Sequence, residues 1–375
     1  MGLTSNFVLW LAVVLAVVLF AATVWLWPRL ARRHWRAVTG RIALLLAAQL
    51  TLFSATGLAA NQSFGFYASW ADLFGQEKGQ GVVVDHDTAV SRLKVSSTRE
   101  LKVSGGSSRP EVAGRLEKVE VTGHKSRIAS SAYVYLPPEY FQSAHRERRF
   151  PAVTVLTGYP GTTEALINGL KYPQTAHEQV REKRMRPMIL VMLRPTLAPP
   201  RDTECVDVPR GPQTETFLAK DLPEAVAGHY RVTGKRGWGV IGSSTGGYCA
   251  LKLAAHHPEV YRAGAGLSPH YKAPIDSTTG DLFQGDKALE QRADLFWFLR
   301  HTPPPRTSLL VSSSKHGEDN YQDTKKFIDL VKSRPPTRIS SVILTKGGHN
   351  FNTWRREIPA AMVWLSERIE VEGRR

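Results

Sequence analysis

The chain has 375 residues, of which 42% are hydrophobic, and its 30 glycines and 23 prolines form no long biased tract. This composition supports a folded core and excludes collagen, a coiled coil and wholesale disorder. The formal charge of +16 suits a nucleic-acid-binding protein, whereas two cysteines exclude a disulfide-rich scaffold and a four-cysteine zinc site.

Two apolar runs occupy the first 60 residues. Phe7–Trp27 is an unbroken run of 21 residues in which Thr23 is the one polar side chain. As a helix it would span roughly 30 Å, the thickness of the hydrocarbon core of a bilayer. Residues 42–60 form a second, weaker run, and residues 28–41 between the two carry five arginines and no acid. We predict a hairpin of two transmembrane helices in residues 1–60, joined by a basic loop at 28–41.

The position of the arginines sets the expected orientation. The positive-inside rule keeps the basic loop in the cytoplasm, so everything after residue 60 faces outward. A signal peptide would need basic residues before its apolar run, and the segment MGLTSN has none. One span followed by a cleaved or interfacial segment remains an alternative. We expect a two-span protein of the cell membrane with an extracellular domain of charge +11, since 44 Lys and Arg residues oppose 33 acids there.

The rest of the chain divides into a linker and one domain. Residues 61–110 are first aromatic and then rich in Gly and Ser, which predicts a juxtamembrane segment and a linker with one or two edge strands. Residues 111–375 alternate strand and helix patterns, which predicts an α/β domain whose mostly parallel sheet has helices on both faces. The predicted strands are 118–121, 132–136, 152–156, 188–193, 237–241, 263–267, 308–312 and 339–344. The predicted helices are 217–229, 246–256, 287–300, 321–333 and 358–370.

A G-x-S-x-G motif lies at residues 242–246, between an apolar strand and a helical pattern. This strand-turn-helix context is typical of the nucleophile elbow, in which a strained turn exposes a serine hydroxyl. Ser244 is the candidate nucleophile because Ser243 occupies the variable position of the motif. The alternative is an ordinary loop rich in Gly and Ser.

A serine nucleophile needs a base and an acid that orients the base. His349 follows the last predicted strand and precedes the final helix, so it can return to the carboxyl edge of the sheet. Glu318 and Asp319 follow an intervening strand, and spacing does not separate these adjacent acids. We prefer Glu318 and keep Asp319 as the alternative. The order Ser, acid, His is that of an α/β-hydrolase fold.

The oxyanion of an acyl-transfer reaction needs backbone donors. In an α/β-hydrolase one donor is the amide after the nucleophile, here Thr245, and the second follows an early strand. The sequence TVLTGYPGTT places Gly158 and Tyr159 at such a strand end. The alternative is a Gly-Pro turn without a further role.

Three segments together resemble the esterase D and mycolyltransferase family of α/β-hydrolases, over roughly residues 110–372. They are TFLAKDLPEAV, GSSTGGYCALKLAAHHPEVY and GGHNFNTWRREIPAAMVWL. The resemblance implies an acyl-enzyme that passes its acyl group to water or to a carbohydrate hydroxyl.

The resemblance also implies residue roles. Ser244 would be the nucleophile, His349 the base and Glu318 the acid, with Tyr159 and Thr245 as oxyanion amide donors. The early-loop glycine of the family usually follows an acidic residue or a histidine, whereas this chain has Thr157 there.

The remaining expectations concern cross-links and partners. Cys205 and Cys249 could form a disulfide in an exported domain and pin a long loop beside the site. No metal or cofactor is expected. The expected partners are an acyl ester or glycolipid-type substrate and membrane lipid, without nucleic acid. The alternative function is a non-catalytic binding protein of the cell envelope on the same fold.

Overall fold

The computed structural model of the protein describes residues 6–31, 34–64, 67, 73, 90–101, 108–199, 201–234 and 237–369. The chain divides into two compact units, Met1–Gly79 and Gln80–Arg375.

The first unit contains two helices that contact each other, α1 (Asn6–Leu30) and α2 (Trp35–Phe64). Each is long and apolar enough to cross a membrane, with hydropathies of 2.9 for Phe7–Leu30 and 1.8 for Trp35–Gln62. Only 6% and 11% of their most apolar stretches are buried, unlike the core helix of a soluble protein. Both helices are longer than the predicted apolar segments. Helical backbone hydrogen bonds continue into flanking residues that are too polar for a hydropathy criterion to include in a span.

The second unit is built on one nine-stranded sheet of order β1-β2-β3-β5-β4-β6-β7-β8-β9. Strands β1, β2 and β3 pair antiparallel, as do β3 and β5, and all pairs among β4 to β9 are parallel. The strands are β1 (Arg92–Glu100), β2 (Arg115–Thr122), β3 (Ala129–Leu136), β4 (Ala152–Leu156), β5 (Ile189–Leu193), β6 (Trp238–Ser243), β7 (Tyr261–Leu267), β8 (Ser308–His316) and β9 (Arg338–Lys346). The predicted α/β-hydrolase fold is confirmed.

Strand β1 lies within the segment predicted as a linker. It pairs with β2 along most of its length, and the preceding Ser91 donates a hydrogen bond to Asp221 at 2.8 Å. The sheet therefore begins before residue 111. Most side chains of β1 are exposed, so the strand lacks the apolar run that marks the central strands.

The longer helices of the second unit depart from the predicted helices at four places. Helix α3 was not predicted, and residues 217–221 form a π-helical turn before α4. The segment 287–300 is two helices because Asp294 caps the second one, and the last helix begins at Phe351, after the cap Asn350. The helices are α3 (Tyr172–Arg181), α4 (Leu222–His229), α5 (Thr245–His256), α6 (Lys287–Ala293), α7 (Leu295–His301), α8 (Tyr321–Lys332) and α9 (Phe351–Arg368).

The central strands are buried on both faces. In β4, Ala152 and Leu156 belong to one hydrophobic cluster, whereas Val153 and Val155 belong to the other. This alternation of neighbouring residues between two cores is why β4 is apolar at every position except Thr154, which is also buried. The two cores fix the carboxyl ends of the parallel strands, and the site described next lies at that edge.

Candidate active site

Ser244 occupies a strained turn between β6 and α5. Its backbone has φ 57° and ψ −123°, and its amide donates to the carbonyl of Leu267 at 2.9 Å. A Cβ on Gly242 would lie 2.3 Å from the carbonyl oxygen of Gly246, and one on Gly246 would lie 2.3 Å from that of Thr157. Only glycine fits these two positions, which explains the spacing of the motif around the half-buried serine.

His349 lies in the loop between β9 and α9 and reaches the serine. Its Nε2 is 2.9 Å from Oγ of Ser244. The ring of Trp354 packs edge-on against the imidazole at a centroid distance of 5.1 Å. The last β-to-α loop therefore brings an imidazole to the elbow from a position 105 residues further along the chain.

The environment of His349 favours its neutral form. Partial burial lowers the pKa of His349, and positive charge on His270 lowers it further, whereas the carboxylate of Asp319 opposes both effects. A neutral imidazole can accept a proton from a hydroxyl.

Glu318 is the acid that faces His349. Its Oε1 lies 3.9 Å from Nδ1 of His349, and its side chain is 1% exposed. This separation exceeds hydrogen-bond length. Among the described residues Glu318 is the one ion-pair partner of His349, and the neighbouring Asp319 is exposed. The structure thus brings together Ser244, Glu318 and His349 and leaves Asp319 at the surface.

A buried hydrogen-bond network holds Glu318 from behind. Ser268 donates its hydroxyl to Oε1 of Glu318, and the indole of Trp354 donates to the same hydroxyl at 2.8 Å. The Ser268 amide donates to Oγ of Ser312, whose hydroxyl donates to Glu357 at 2.7 Å. The sequence interpretation missed these residues, since buried polar groups in strand ends have no local signal.

Burial raises the pKa of both carboxyl groups of this network. Burial raises the pKa of Glu318, an effect that the Ser268 hydroxyl partly offsets. Burial also raises the pKa of Glu357 to about 8, against the effect of the Ser312 hydroxyl. Glu357 is fully buried, so at neutral pH its protonated form spares the network a second negative charge.

The loop after β4 borders the serine. A Cβ on Gly158 would lie 3.1 Å from the Cβ of Ser244, so this loop passes directly against the elbow. Tyr159 follows in the chain, and Thr245 begins α5, where helix amides have no intrahelical acceptor. The hydroxyl of Thr157 donates to a backbone carbonyl four residues later at 3.3 Å, so this residue closes the turn of the loop.

Behind the elbow, Cys205 and Cys249 form a disulfide with a Cα separation of 5.8 Å. The bond ties the loop before α4 to α5. Two buried acids of this loop, Asp202 and Glu204, also approach α5, and Glu204 contacts His270. The sequence interpretation placed neither this acidic pair nor His270 in the site.

Residues 129–365 match the model of the Putative esterase family. The chain belongs to this family. The match covers more than half of the chain and includes the serine, the acid and the histidine described above.

Individual proteins are also similar to this chain. An uncharacterized protein of Corynebacterium glutamicum is 24% identical over 257 residues, which are 64% of this chain and 58% of that protein. An S-formylglutathione hydrolase of Agrobacterium tumefaciens has TM-score 0.58 and 15% identity over 74% of this chain and 99% of its own. A fluorophosphonate-binding serine hydrolase of Staphylococcus aureus has TM-score 0.54 and 17% identity over 68% and 98%. At these identities the two solved structures show the fold alone.

Proposed function

We propose that the protein is a membrane-anchored, outward-facing serine esterase or acyltransferase with Ser244 as nucleophile, His349 as general base and Glu318 as acid. The observation that carries the proposal is the 2.9 Å contact between Oγ of Ser244 and Nε2 of His349 at a strained elbow. A serine hydroxyl needs such a base, because it is a weak nucleophile near neutral pH.

The first half-reaction transfers the acyl group to the enzyme. Nε2 of His349 takes the hydroxyl proton while Oγ of Ser244 forms a bond to the ester carbonyl carbon. The amides of Tyr159 and Thr245 donate hydrogen bonds to the carbonyl oxygen as it becomes an oxyanion. The bond between the carbonyl carbon and the alcohol oxygen then breaks, and His349 gives its proton to the leaving alcohol.

The second half-reaction regenerates the serine. His349 takes a proton from water or from an acceptor hydroxyl, the resulting oxygen nucleophile attacks the acyl carbon, and the proton returns to Oγ of Ser244. The same residues serve both acceptors, so hydrolysis and acyl transfer share one site. Which reaction dominates depends on what binds beside His349.

Glu318 stabilises the imidazolium that forms in both halves. Its distance of 3.9 Å from Nδ1 must shorten by about 1 Å for a hydrogen bond. Catalytic hydrogen bonds are often long without substrate and tighten in the complex. Positive charge on His349 would supply the attraction for this movement.

The membrane anchor would be α1 and α2, with their basic connection in the cytoplasm and the catalytic unit outside. The five arginines between the apolar segments and the absence of acids before residue 62 support this orientation. The disulfide also fits an exported domain, because bonds of this kind persist in oxidising compartments. A signal sequence is the alternative reading of the first helix.

A fluorophosphonate probe tests the chemistry on the purified full-length protein in detergent. We expect the wild type to be labelled and Ser244→Ala to remain unlabelled, with Ser243→Ala as the matched control at the neighbouring serine. Absence of labelling in the wild type, or equal labelling of Ser244→Ala, would contradict the proposal and favour the non-catalytic binding protein.

A second measurement separates hydrolysis from acyl transfer. Short-chain acyl esters are supplied with and without a sugar acceptor, and both the free acid and the acylated sugar are quantified. Topology is tested by protease treatment of intact cells that lack a wall. The catalytic unit should be digested from outside if the orientation is right, and it should be protected if the orientation is reversed.

A further inference from the structure

A second carboxylate–imidazole pair lies beside the elbow. Nε2 of His270 is 3.0 Å from Oε2 of Glu204, whose side chain is 2% exposed, whereas the His270 side chain is 33% exposed. The other carboxylate oxygen of Glu204 lies 3.5 Å from the hydroxyl of Thr245. Thr245 directly follows Ser244, so Glu204 lies next to the residue that adjoins the proposed nucleophile.

The imidazole of His270 is held in place from several directions. Its ring stacks on the buried ring of Tyr248 at 4.8 Å and 22°. Its partner Glu204 precedes Cys205, which the disulfide fixes to Cys249 on the same helix as Tyr248. The orientation of His270 is therefore set by buried groups, while one edge of the ring reaches solvent.

Two buried acids, Asp202 and Glu204, lie behind His270. Burial and the neighbouring Glu204 raise the pKa of Asp202 to about 7, so near neutrality Asp202 is only about half ionised. The hydrogen-bond contact of the ring with Glu204 uses Nε2. No hydrogen bond from a described residue reaches Nδ1, so this nitrogen can bond to a ligand at the exposed edge.

The exposed edge of His270 belongs to the wall of a cleft of about 510 Å³. At the start of the cleft, the loop after β7 meets the loop after β8. The side-chain amide of Asn320, two residues after Glu318, donates to the carbonyl of Pro269 at 3.0 Å. The charged or titratable residues that line the cleft are His270, Lys272, Asp294, Arg300, Asp323 and Lys326.

The charged side chains of this cleft differ in whether they already have a partner within the protein. Asp323 pairs with Lys326 at 2.9 Å, and Asp294 accepts from a helix amide as a cap. Lys272 and Arg300 form no ion pair with a described residue. The lining carries three cations and two acids, so its net charge without His270 is +1, and the Arg300 guanidinium lies 5.5 Å from the ring centroid of Phe296. Lys272 and Arg300 are the cations that remain for an anionic group of a ligand.

We propose that this cleft binds the alcohol part of the ester, that His270 positions a hydroxyl of that alcohol, and that Lys272 and Arg300 favour an alcohol with an anionic group. The inference rests on the proposed function, in which His349 returns its proton to the leaving alcohol, so the alcohol lies on the His349 side of the serine. The influence of His270 on the pKa of His349 agrees with this proximity.

Two butyrate esters that differ only in the charge of the alcohol test the cleft. They are 1-butyrylglycerol and 1-butyrylglycerol 3-phosphate, with p-nitrophenyl butyrate as an ester whose alcohol has neither hydroxyl nor phosphate. Wild-type protein should show a higher kcat/KM for the phosphate ester. In the double variant Lys272→Gln/Arg300→Gln, the ratio of kcat/KM for the phosphate ester to kcat/KM for the uncharged glycerol ester should fall about five- to tenfold, as expected for the loss of two partly exposed ion pairs.

The matched control removes two charges from the same region outside the cleft. Lys325→Gln/Lys332→Gln lies on α8, where both side chains are exposed. This control should keep the wild-type preference. Equal losses in both double variants would show a general charge effect and overturn the anionic subsite.

His270 is tested by a KM-against-kcat split. At a pH where His349 is neutral in both proteins, His270→Ala should raise KM for both glycerol esters about five- to tenfold more than KM for p-nitrophenyl butyrate, as for one lost hydrogen bond. His270→Asn, which keeps a hydrogen-bonding group near Nδ1, should restore part of that difference. An equal effect on all three esters would assign His270 a structural role and overturn the inference.

The two proposals fail in different ways. Wild-type protein that is not labelled removes the proposed function and this inference with it. Wild-type protein that is labelled and hydrolyses p-nitrophenyl butyrate, but shows no preference for the phosphate ester, overturns the cleft assignment alone.

Discussion

Ser268 donates its hydroxyl to Oε1 of Glu318, the same oxygen that faces Nδ1 of His349. One carboxylate oxygen thus serves a buried serine and the imidazole. Because the indole of Trp354 donates to the Ser268 hydroxyl, that hydroxyl has a fixed direction and its hydrogen points at the carboxylate. The ionised form of a deeply buried acid is stabilised in this way without a basic residue.

Removing the Ser268 hydroxyl should weaken catalysis. We expect Ser268→Ala to lower kcat about 10- to 100-fold, because a hydrogen bond to a charged group is worth about 1.5–3 kcal/mol. Steady-state hydrolysis of p-nitrophenyl butyrate measures the loss. Ser366→Ala removes another buried serine hydroxyl, which donates to the carbonyl of Val363 within α9, and should leave kcat unchanged. An unchanged kcat in Ser268→Ala would contradict this role.

The two adjacent acids should differ sharply in their effect on activity. Glu318→Gln should reduce kcat about 10³- to 10⁴-fold, as for other triads that lose the acid. Asp319→Asn is the matched control and should retain activity within a few-fold, because Asp319 is exposed. The reverse order of effects would identify Asp319 as the acid.

The pH dependence should report a lowered pKa for His349. Activity requires the neutral base, so kcat/KM rises with pH as His349 loses its proton. Because burial and His270 lower this pKa, the midpoint should lie below the ordinary value of 6.5. A pH profile of p-nitrophenyl butyrate hydrolysis gives the midpoint.

Two variants should move that midpoint in opposite directions. His270→Gln removes a charge that lowers the pKa of His349 and should shift the midpoint upward. Asp319→Asn removes a charge that raises it and should shift the midpoint downward. Shifts in the same direction would argue against this electrostatic account.

The disulfide should stabilise the second unit substantially. The double variant Cys205→Ala/Cys249→Ala opens a loop with a sequence separation of 44, and the chain-entropy model gives a loss of about 4 kcal/mol. Urea denaturation followed by tryptophan fluorescence measures the change. Wild type treated with a reductant should show a similar loss, and a loss under 1 kcal/mol in both would contradict the expectation.

Glu357 should make stability fall as the pH rises. Its folded-state pKa of about 8 lies above its ordinary value of 4.5, so the folded chain keeps a proton that the unfolded chain releases. This contribution to stability is complete below 4.5 and is lost as the pH rises through 8. Glu357→Gln resembles the protonated acid and should flatten the decline. Denaturation at pH 5 and at pH 8.5 compares the two proteins, and parallel curves would exclude this role.

The sequence alone determined those features that have a local or periodic signal. The Gly242 and Gly246 spacing around Ser244 follows from short-range sterics, because a close helix–strand approach admits only glycine. The apolar runs of β4 and β6 follow from burial. Burial on both faces produces a continuous apolar run, which is visible without a structure. The two membrane-length helices were equally visible, since length and hydropathy suffice to detect them.

Only the tertiary structure decided which distant side chains meet. Spacing could not separate Glu318 from Asp319, because that choice depends on which side chain turns inward at the end of β8. The support of Glu318 by Ser268, and the approach of Glu204 to His270, join residues 50 and 66 positions apart. Buried polar contacts of this kind depend on the three-dimensional meeting of strand ends and loops, and they leave no periodic pattern in the chain.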